Sequence, residues 1–225
     1  GLIHFDIKPD NVLISDSNEA MLSDFGLALY TDAYGFCEAQ ASYTPHVTPE
    51  QLLGLKQTIK NDIYQAGLTI YRMVNGNDFF YRQIPNSGNL MLDNIAFKRL
   101  VQLGLFPNRK SYLPHVPKKI KKIIKKCIEP DPNDRYDNTL QIINELASIN
   151  ENLDIRYGRD VNGEFWESPK GAYVYRINSI PKTDKFDIKV CKTKEGKTTN
   201  CTSLCSNNVD KDQVIPKLEA IFATL

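Results

Sequence analysis

The stretch from Asp62 to Asn75 restricts the fold more than any other. Ile63, Tyr64, Ala66, Gly67, Leu68, Ile70, Tyr71, Met73 and Val74 put apolar side chains nearly all round a helix, and Gly76 follows as a helix-ending residue. Such a helix has no solvent face, so it predicts a core helix that other elements must surround. One neighbour is legible further on. Ile120, Ile123, Ile124, Cys127 and Ile128 recur at the i, i+3, i+4, i+7, i+8 spacing, while Lys118, Lys119, Lys121, Lys122, Lys125 and Lys126 fill the rest. Those lysines read as the solvated face of an amphipathic helix rather than as a phosphate-binding patch. Pro130 and Pro132 end it. After Asp137 or Asn138 as cap, Leu140, Ile143, Leu146 and Ala147 mark another helix reaching about Ile149.

The 225 residues are 41% apolar, enough for one fair-sized core or two small ones and unlike a disordered chain. With 28 basic and 27 acidic residues, the net charge of +1 offers no bulk field to nucleic acid or an anionic membrane, and neither partner is expected. No apolar run approaches the ~18 residues of a spanning helix, and Gly1-Leu2-Ile3 is no signal peptide. The expected compartment is cytoplasmic. Cys37, Cys127, Cys191, Cys201 and Cys205 are an odd set without a paired framework, so reduced thiols are expected. A lone C-x-x-x-C with no histidine after His115 is poor evidence for zinc. Asn200-Cys201-Thr202 fits the glycosylation triplet but reads as plain loop or strand. Position 1 is not Met, and the first residues read as the exit of an element whose start is missing, so the sequence is expected to be a fragment or cleaved remainder.

Asn11 to Ile14 and Ala20 to Ser23 flank the turn formers Asp16-Ser17-Asn18-Glu19 and predict a hairpin that aims Asn11 and Asp24 at one point. From Leu27 to Thr48 no period holds, and the hydroxyls of Tyr30, Thr31, Tyr34, Ser42, Tyr43 and Thr44 predict a long functional surface loop. Beyond Asn150 the texture changes. Asn162-Gly163 and Glu195-Gly196 are turn signals, Phe186, Ile188 and Val190 alternate with Asp187 and Lys189, and Val214, Leu218, Ile221, Phe222 and Leu225 line a closing helix whose start Pro216 obscures. Residues 150–225 therefore read as a small α+β module of three or four strands and one helix, of unknown task and with a partner of its own to find.

The chemistry sits near the amino terminus, in His4-Phe5-Asp6-Ile7-Lys8-Pro9-Asp10-Asn11 and Ser23-Asp24-Phe25-Gly26. Taken singly these are an Asp in a turn, an Asn cap and a solvated Lys. Their joint spacing, followed by Thr48-Pro49-Glu50 and Asp62, resembles the catalytic loop and metal-binding segment of protein kinases. The resemblance covers residues 1–149 and implies an α+β fold: an incomplete, mainly helical kinase C-lobe (catalytic loop, D-F-G, activation segment, lobe helices) followed by the small α+β module. It implies that Asp6 is the base for a protein-substrate hydroxyl, and that Lys8 contacts the transferred phosphate of ATP. Asn11 and Asp24 are implied to hold Mg²⁺ against the nucleotide. Lys8 is of the kind found in serine/threonine rather than tyrosine kinases. Glu50 is implied to pair with a buried arginine, for which Arg135 is in the matching context, and Asp62 to anchor the catalytic loop.

Three departures accompany the resemblance. Phe5 stands where an arginine usually precedes the base, so activity independent of loop phosphorylation is expected; silencing of the full-length protein by Ala at Thr31, Ser42 and Thr44 together is the contrary result. The threonine normally seven residues before the A-P-E glutamate falls six before it, at Thr44. The Gly-rich loop, the strand lysine and its glutamate partner are absent from the 225 residues. Two other classes compete with this one: a catalytically silent kinase-like scaffold, and a small-molecule phosphotransferase. Asp6, Lys8, Asn11 and Asp24 together count against the first, and Thr48-Pro49-Glu50 with Arg135 against the second.

Overall fold

Four short strands, β1 (Leu2–Ile3), β2 (Val12–Ile14), β3 (Ala20–Leu22) and β4 (Leu29–Tyr30), form two antiparallel pairs in the computed structural model, β1 with β4 and β2 with β3. Residues 1–38, 44–151 and 153–225 are described; the loop residues Ser42 and Tyr43 singled out above lie outside them, as does the side chain of Thr44. In the β2–β3 turn Asn18 adopts φ +64, a left-handed conformation that Asn tolerates better than most residues. The chain as a whole is α+β and divides into two units, Gly1–Ile149 and Asn150–Leu225.

The first unit adds α1 (Pro49–Leu52), α2 (Lys60–Asn75), α3 (Asn77–Tyr81), α4 (Leu90–Gln102), α5 (Lys118–Cys127) and α6 (Thr139–Ala147). Thr48 and Gln51 close a capping box on α1, and Asn138 caps α6 through Gln141 N–H. Helix α2 is the central one, but its burial has two chemistries. Ile63, Tyr64, Leu68 and Tyr71 are buried as the apolar periodicity requires. Asp62, Gln65, Thr69 and Arg72 are also buried, whereas Met73 is 69% exposed. A polar stripe in a core must be hydrogen-bonded to be tolerated, and this one is, against the segment His4–Asp10. On another side Gly67 lets α5 approach: an added Cβ there would lie 2.4 Å from Cys127 Cβ. Ile120, Ile123, Ile124 and Cys127 fill that contact, with the α5 lysines outside the core.

In the second unit β5 (Arg156–Asp160), β6 (Gly163–Lys170), β7 (Tyr173–Pro181) and β8 (Lys185–Lys194) run as an antiparallel meander, and β9 (Lys197–Asn200) and β10 (Ser206–Asp210) both pair with β8. The sheet has six strands where the sequence predicts three or four. The reason is composition: β9 has no buried residue and β10 only Val209, so neither carries an alternating apolar signal. Glu195 and Gly196 both take positive φ, as a two-residue turn matched to strand twist demands. α7 (Lys211–Phe222) covers one face, joining Val214, Leu218 and Ile221 to Trp166, Ile177, Ile188, Val190 and Val209 of the sheet. It begins before Pro216 and continues through it.

Candidate active site

Helix α2 holds the segment His4–Asp10 by its backbone. Asp62 accepts the N–H groups of His4 (2.8 Å) and Phe5 (3.0 Å). Gln65 takes Ile7 N–H at 3.0 Å and donates to Phe5 C=O at 2.7 Å, and Thr69 donates to Ile7 C=O at 3.2 Å. These bonds offset a strain: Phe5 is buried with φ +67, a conformation that costs a non-glycine residue about 1–2 kcal/mol. Burial pushes the Asp62 carboxyl upward, against the two backbone bonds that favour its charged form.

The loop so held brings three of the expected site residues together. Asp6 Oδ2 accepts from Lys8 Nζ and from Asn11 Nδ2, each at 2.8 Å, and the same Asn11 amide donates to Asp6 C=O at 2.8 Å. Asp6 Oδ1 is buried and has no hydrogen-bond partner among the described residues. Asn11, its amide N–H groups committed to Asp6, keeps its side-chain oxygen for another ligand.

Asp24 lies outside this cluster. It is exposed, adopts φ +60 and takes Gly26 N–H at 3.3 Å within its own turn. What links it to the loop is its neighbour: Ser23 donates its N–H (2.9 Å) and Oγ–H (3.0 Å) to Asn11 C=O. His4 adds a second link. Its Nδ1 accepts Asp6 N–H at 3.3 Å, which leaves Nε2 to donate to Ser23 C=O at 3.2 Å, and its ring lies 4.7 Å from that of Phe25. Asn11 and Asp24 offer only oxygen, the donor set that magnesium takes when phosphates and water complete its shell. Among the described residues no cluster of three or more His, Cys, Asp or Glu could hold a metal by itself.

Glu50 and Arg135 form the expected ion pair, buried and bidentate. Sequence reasoning missed Gln65, Thr69 and Arg72, and it missed His46, which contacts Ile7 C=O and Arg72. The signal for the helix residues was available: polar positions 62, 65, 69 and 72 recur at 3, 4 and 3 residues along an otherwise apolar helix. No helix among the described residues is long and apolar enough to cross a membrane.

With this geometry in hand, the comparisons agree on one class. The model of the protein kinase domain matches residues 1–146, and the chain belongs to the protein kinase family. It is 29% identical over 154 residues to a probable serine/threonine-protein kinase of Clostridium acetobutylicum, covering 68% of this chain and 22% of that protein. It is similar to the serine/threonine-protein kinase PknL of Mycobacterium tuberculosis, at 29% identity over 158 residues, 68% of this chain and 37% of that one. PrkC of Bacillus subtilis, also a serine/threonine-protein kinase, is 31% identical over 138 residues, 60% of this chain and 20% of its own length. The chain thus spans between a fifth and two fifths of these relatives.

Proposed function

We propose that residues 1–149 are the C-lobe portion of a serine/threonine protein kinase, supplying the base and the metal ligands for transfer of the ATP γ-phosphate to a protein hydroxyl. The observation that carries this is the asymmetry of Asp6: one carboxylate oxygen is fixed by Lys8 and Asn11, and the other is buried without a hydrogen-bond partner among the described residues. An unsatisfied buried acceptor costs about 1–3 kcal/mol, and a silent scaffold has no use for that cost. A base does, because the vacant lone pairs are where an acceptor hydroxyl donates its proton. Lys8, at 2.8 Å from Asp6 Oδ2, orients the carboxylate and would contact the transferred phosphate. Asn11 and Asp24 would hold Mg²⁺, which neutralises the polyphosphate when bound. Residues 150–225 form an α+β unit of their own, to which no task is assigned.

General-base catalysis supplies ~10²–10⁴ in rate, whereas positioning two reactants is worth ~7–11 kcal/mol. The 225 residues contain no Gly-rich loop or strand lysine to grip the nucleotide, so this chain by itself should not transfer phosphate at a measurable rate. The test is Mg-ATP titration of the ¹⁵N-labelled chain: resonances of Asp6, Asn11 and Asp24 should shift, and the shifts should vanish in Asp24→Ala. No shift in the parent chain, or equal shifts in the variant, would count against the reading.

A further inference from the structure

We propose that His46 is a positioning residue of the catalytic loop, holding the Ile7 carbonyl, and with it the Ile7–Lys8 peptide, through a single fixed tautomer of its ring. Its bearing on phosphoryl transfer rests on the function proposed above; the loop geometry does not.

The tautomer follows from its neighbours. His46 Nε2 lies 3.1 Å from Arg72 Nη1, and a guanidinium has only donors, so Nε2 must accept. The proton is then on Nδ1, which lies 2.9 Å from the Ile7 carbonyl, an acceptor only. Both contacts demand the same neutral ring. Adding a proton at Nε2 would set N–H against N–H. Arg72 is itself fixed, by Asn77 Oδ1 at 3.1 Å, by Asp10 Oδ2 at 3.4 Å and over the rings of Phe80 and Tyr81. His46, 0% exposed, is gripped on its main chain too, since Gln65 donates to its C=O at 3.3 Å. The charged groups whose fields reach the ring are Arg72, Asp6 and Lys8.

Ile7 is where this matters, because it separates the two side chains that share a bond at Asp6 Oδ2. A 1 Å displacement of a reacting group can cost about 10²-fold in rate, and a rotation of the Ile7 peptide moves Asp6 and Lys8 together.

The experiment uses the intact 225-residue chain. Long-range ¹⁵N–¹H spectra of the histidine rings should show His46 protonated on Nδ1 alone at neutral pH; Nε2–H or a doubly protonated ring overturns the proposal. His46→Phe keeps the ring volume and removes both nitrogens, and amide resonances of Ile7, Lys8 and Asn11 should move while those of residues 150–225 stay. His46→Asn, whose amide N–H falls near the place of Nδ1, should bring them back toward the parent positions. Resonances unmoved in His46→Phe, or moved equally in both variants, overturn it; if His46→Phe does not fold, the ring spectra and the Asn variant decide. Mn²⁺ binding, read by broadening at Asn11 and Asp24, should weaken about tenfold in the Phe variant and recover in the Asn variant. Absence of Mn²⁺ binding in the parent strikes the kinase reading and leaves the amide test of His46 in force.

Discussion

Arg135 meets Glu50 across 85 residues of sequence in two parallel hydrogen bonds of 2.8 Å, Nη1 to Oε1 and Nη2 to Oε2, with both side chains almost wholly buried. The remaining guanidinium donors reach the carbonyls of Glu129, Pro130 and Lys60, and the charge lies 4.7 Å over the ring of Tyr64. Removing one partner leaves the other charged and dry, so Glu50→Ala or Arg135→Ala should destabilise the first unit by about 3–5 kcal/mol. Replacing both by Met should cost clearly less than the two single losses added. Urea unfolding of the intact chain, with unit-specific probes, reads all three; additive losses would show that the pair is not coupled.

This pair and Asp62 were legible in the sequence because each is a charged residue at a motif position with a charged or backbone partner of known kind. The rest of the site was less so. Gln65, Thr69 and Arg72 sit among Ile63, Leu68 and Tyr71, and an averaged apolar signal hides a polar stripe of the same period. Asp24 could be named from D-F-G, yet its left-handed φ of +60 and its bond to Gly26 N–H within its own turn are not encoded by spacing. Polar strands such as Lys197–Asn200 are set by pairing with β8 rather than by their own side chains.

Gly67 illustrates packing that overrides propensity. A Gly-to-Ala change inside a helix ordinarily gains about 1 kcal/mol. Here the new methyl would meet Cys127 Cβ at 2.4 Å and Ile128 Cγ2 at 2.7 Å, atoms close to the α5 backbone that have little room to yield. Overpacking typically costs about 1–3 kcal/mol and should win, so Gly67→Ala lowers the urea midpoint of the first unit. A raised midpoint would mean that α2 and α5 are free to slide apart.

Acid should destabilise the first unit through His46 and His115. Burial first, and Arg72 second, hold His46 down to about 4. Burial likewise holds His115 down to about 4, helped by Lys121 and opposed by a bond to Val74 C=O. Unfolded, each titrates near 6.5, so below that pH the unfolded chain binds protons that the fold refuses. The stability each contributes is complete above about 6.5 and is lost as pH falls toward 4; at 1.36 kcal/mol per unit it is on the order of 3 kcal/mol per histidine. Burial raises the Asp62 carboxyl, so its contribution has the opposite sign: it diminishes as pH rises through the folded value. His115→Gln should flatten the fall in stability between pH 6.5 and 4, measured by urea unfolding. An unchanged slope would place the acid sensitivity elsewhere.

Pro216 offers a test of the second unit. It lies inside α7, between Val214 and Leu218, whose side chains enter the core, and is itself exposed. Proline within a helix lacks the N–H that would bond four residues back, here to Asp212, and its ring crowds that carbonyl; the penalty is about 3 kcal/mol in a regular helix. Ile215 before it is restricted as well. The apolar face of Val214, Leu218 and Ile221 against Trp166 and Val190 keeps the helix intact despite this, since each buried aliphatic side chain contributes about 1.5–3 kcal/mol. Pro216→Ala removes the penalty and touches none of that face. It should therefore raise the stability of the second unit by about 1–3 kcal/mol and slow amide exchange at residues 215–218. A loss of stability would show that α7 depends on the bend the proline imposes, with the helix seated on β8 and β10 only in that shape.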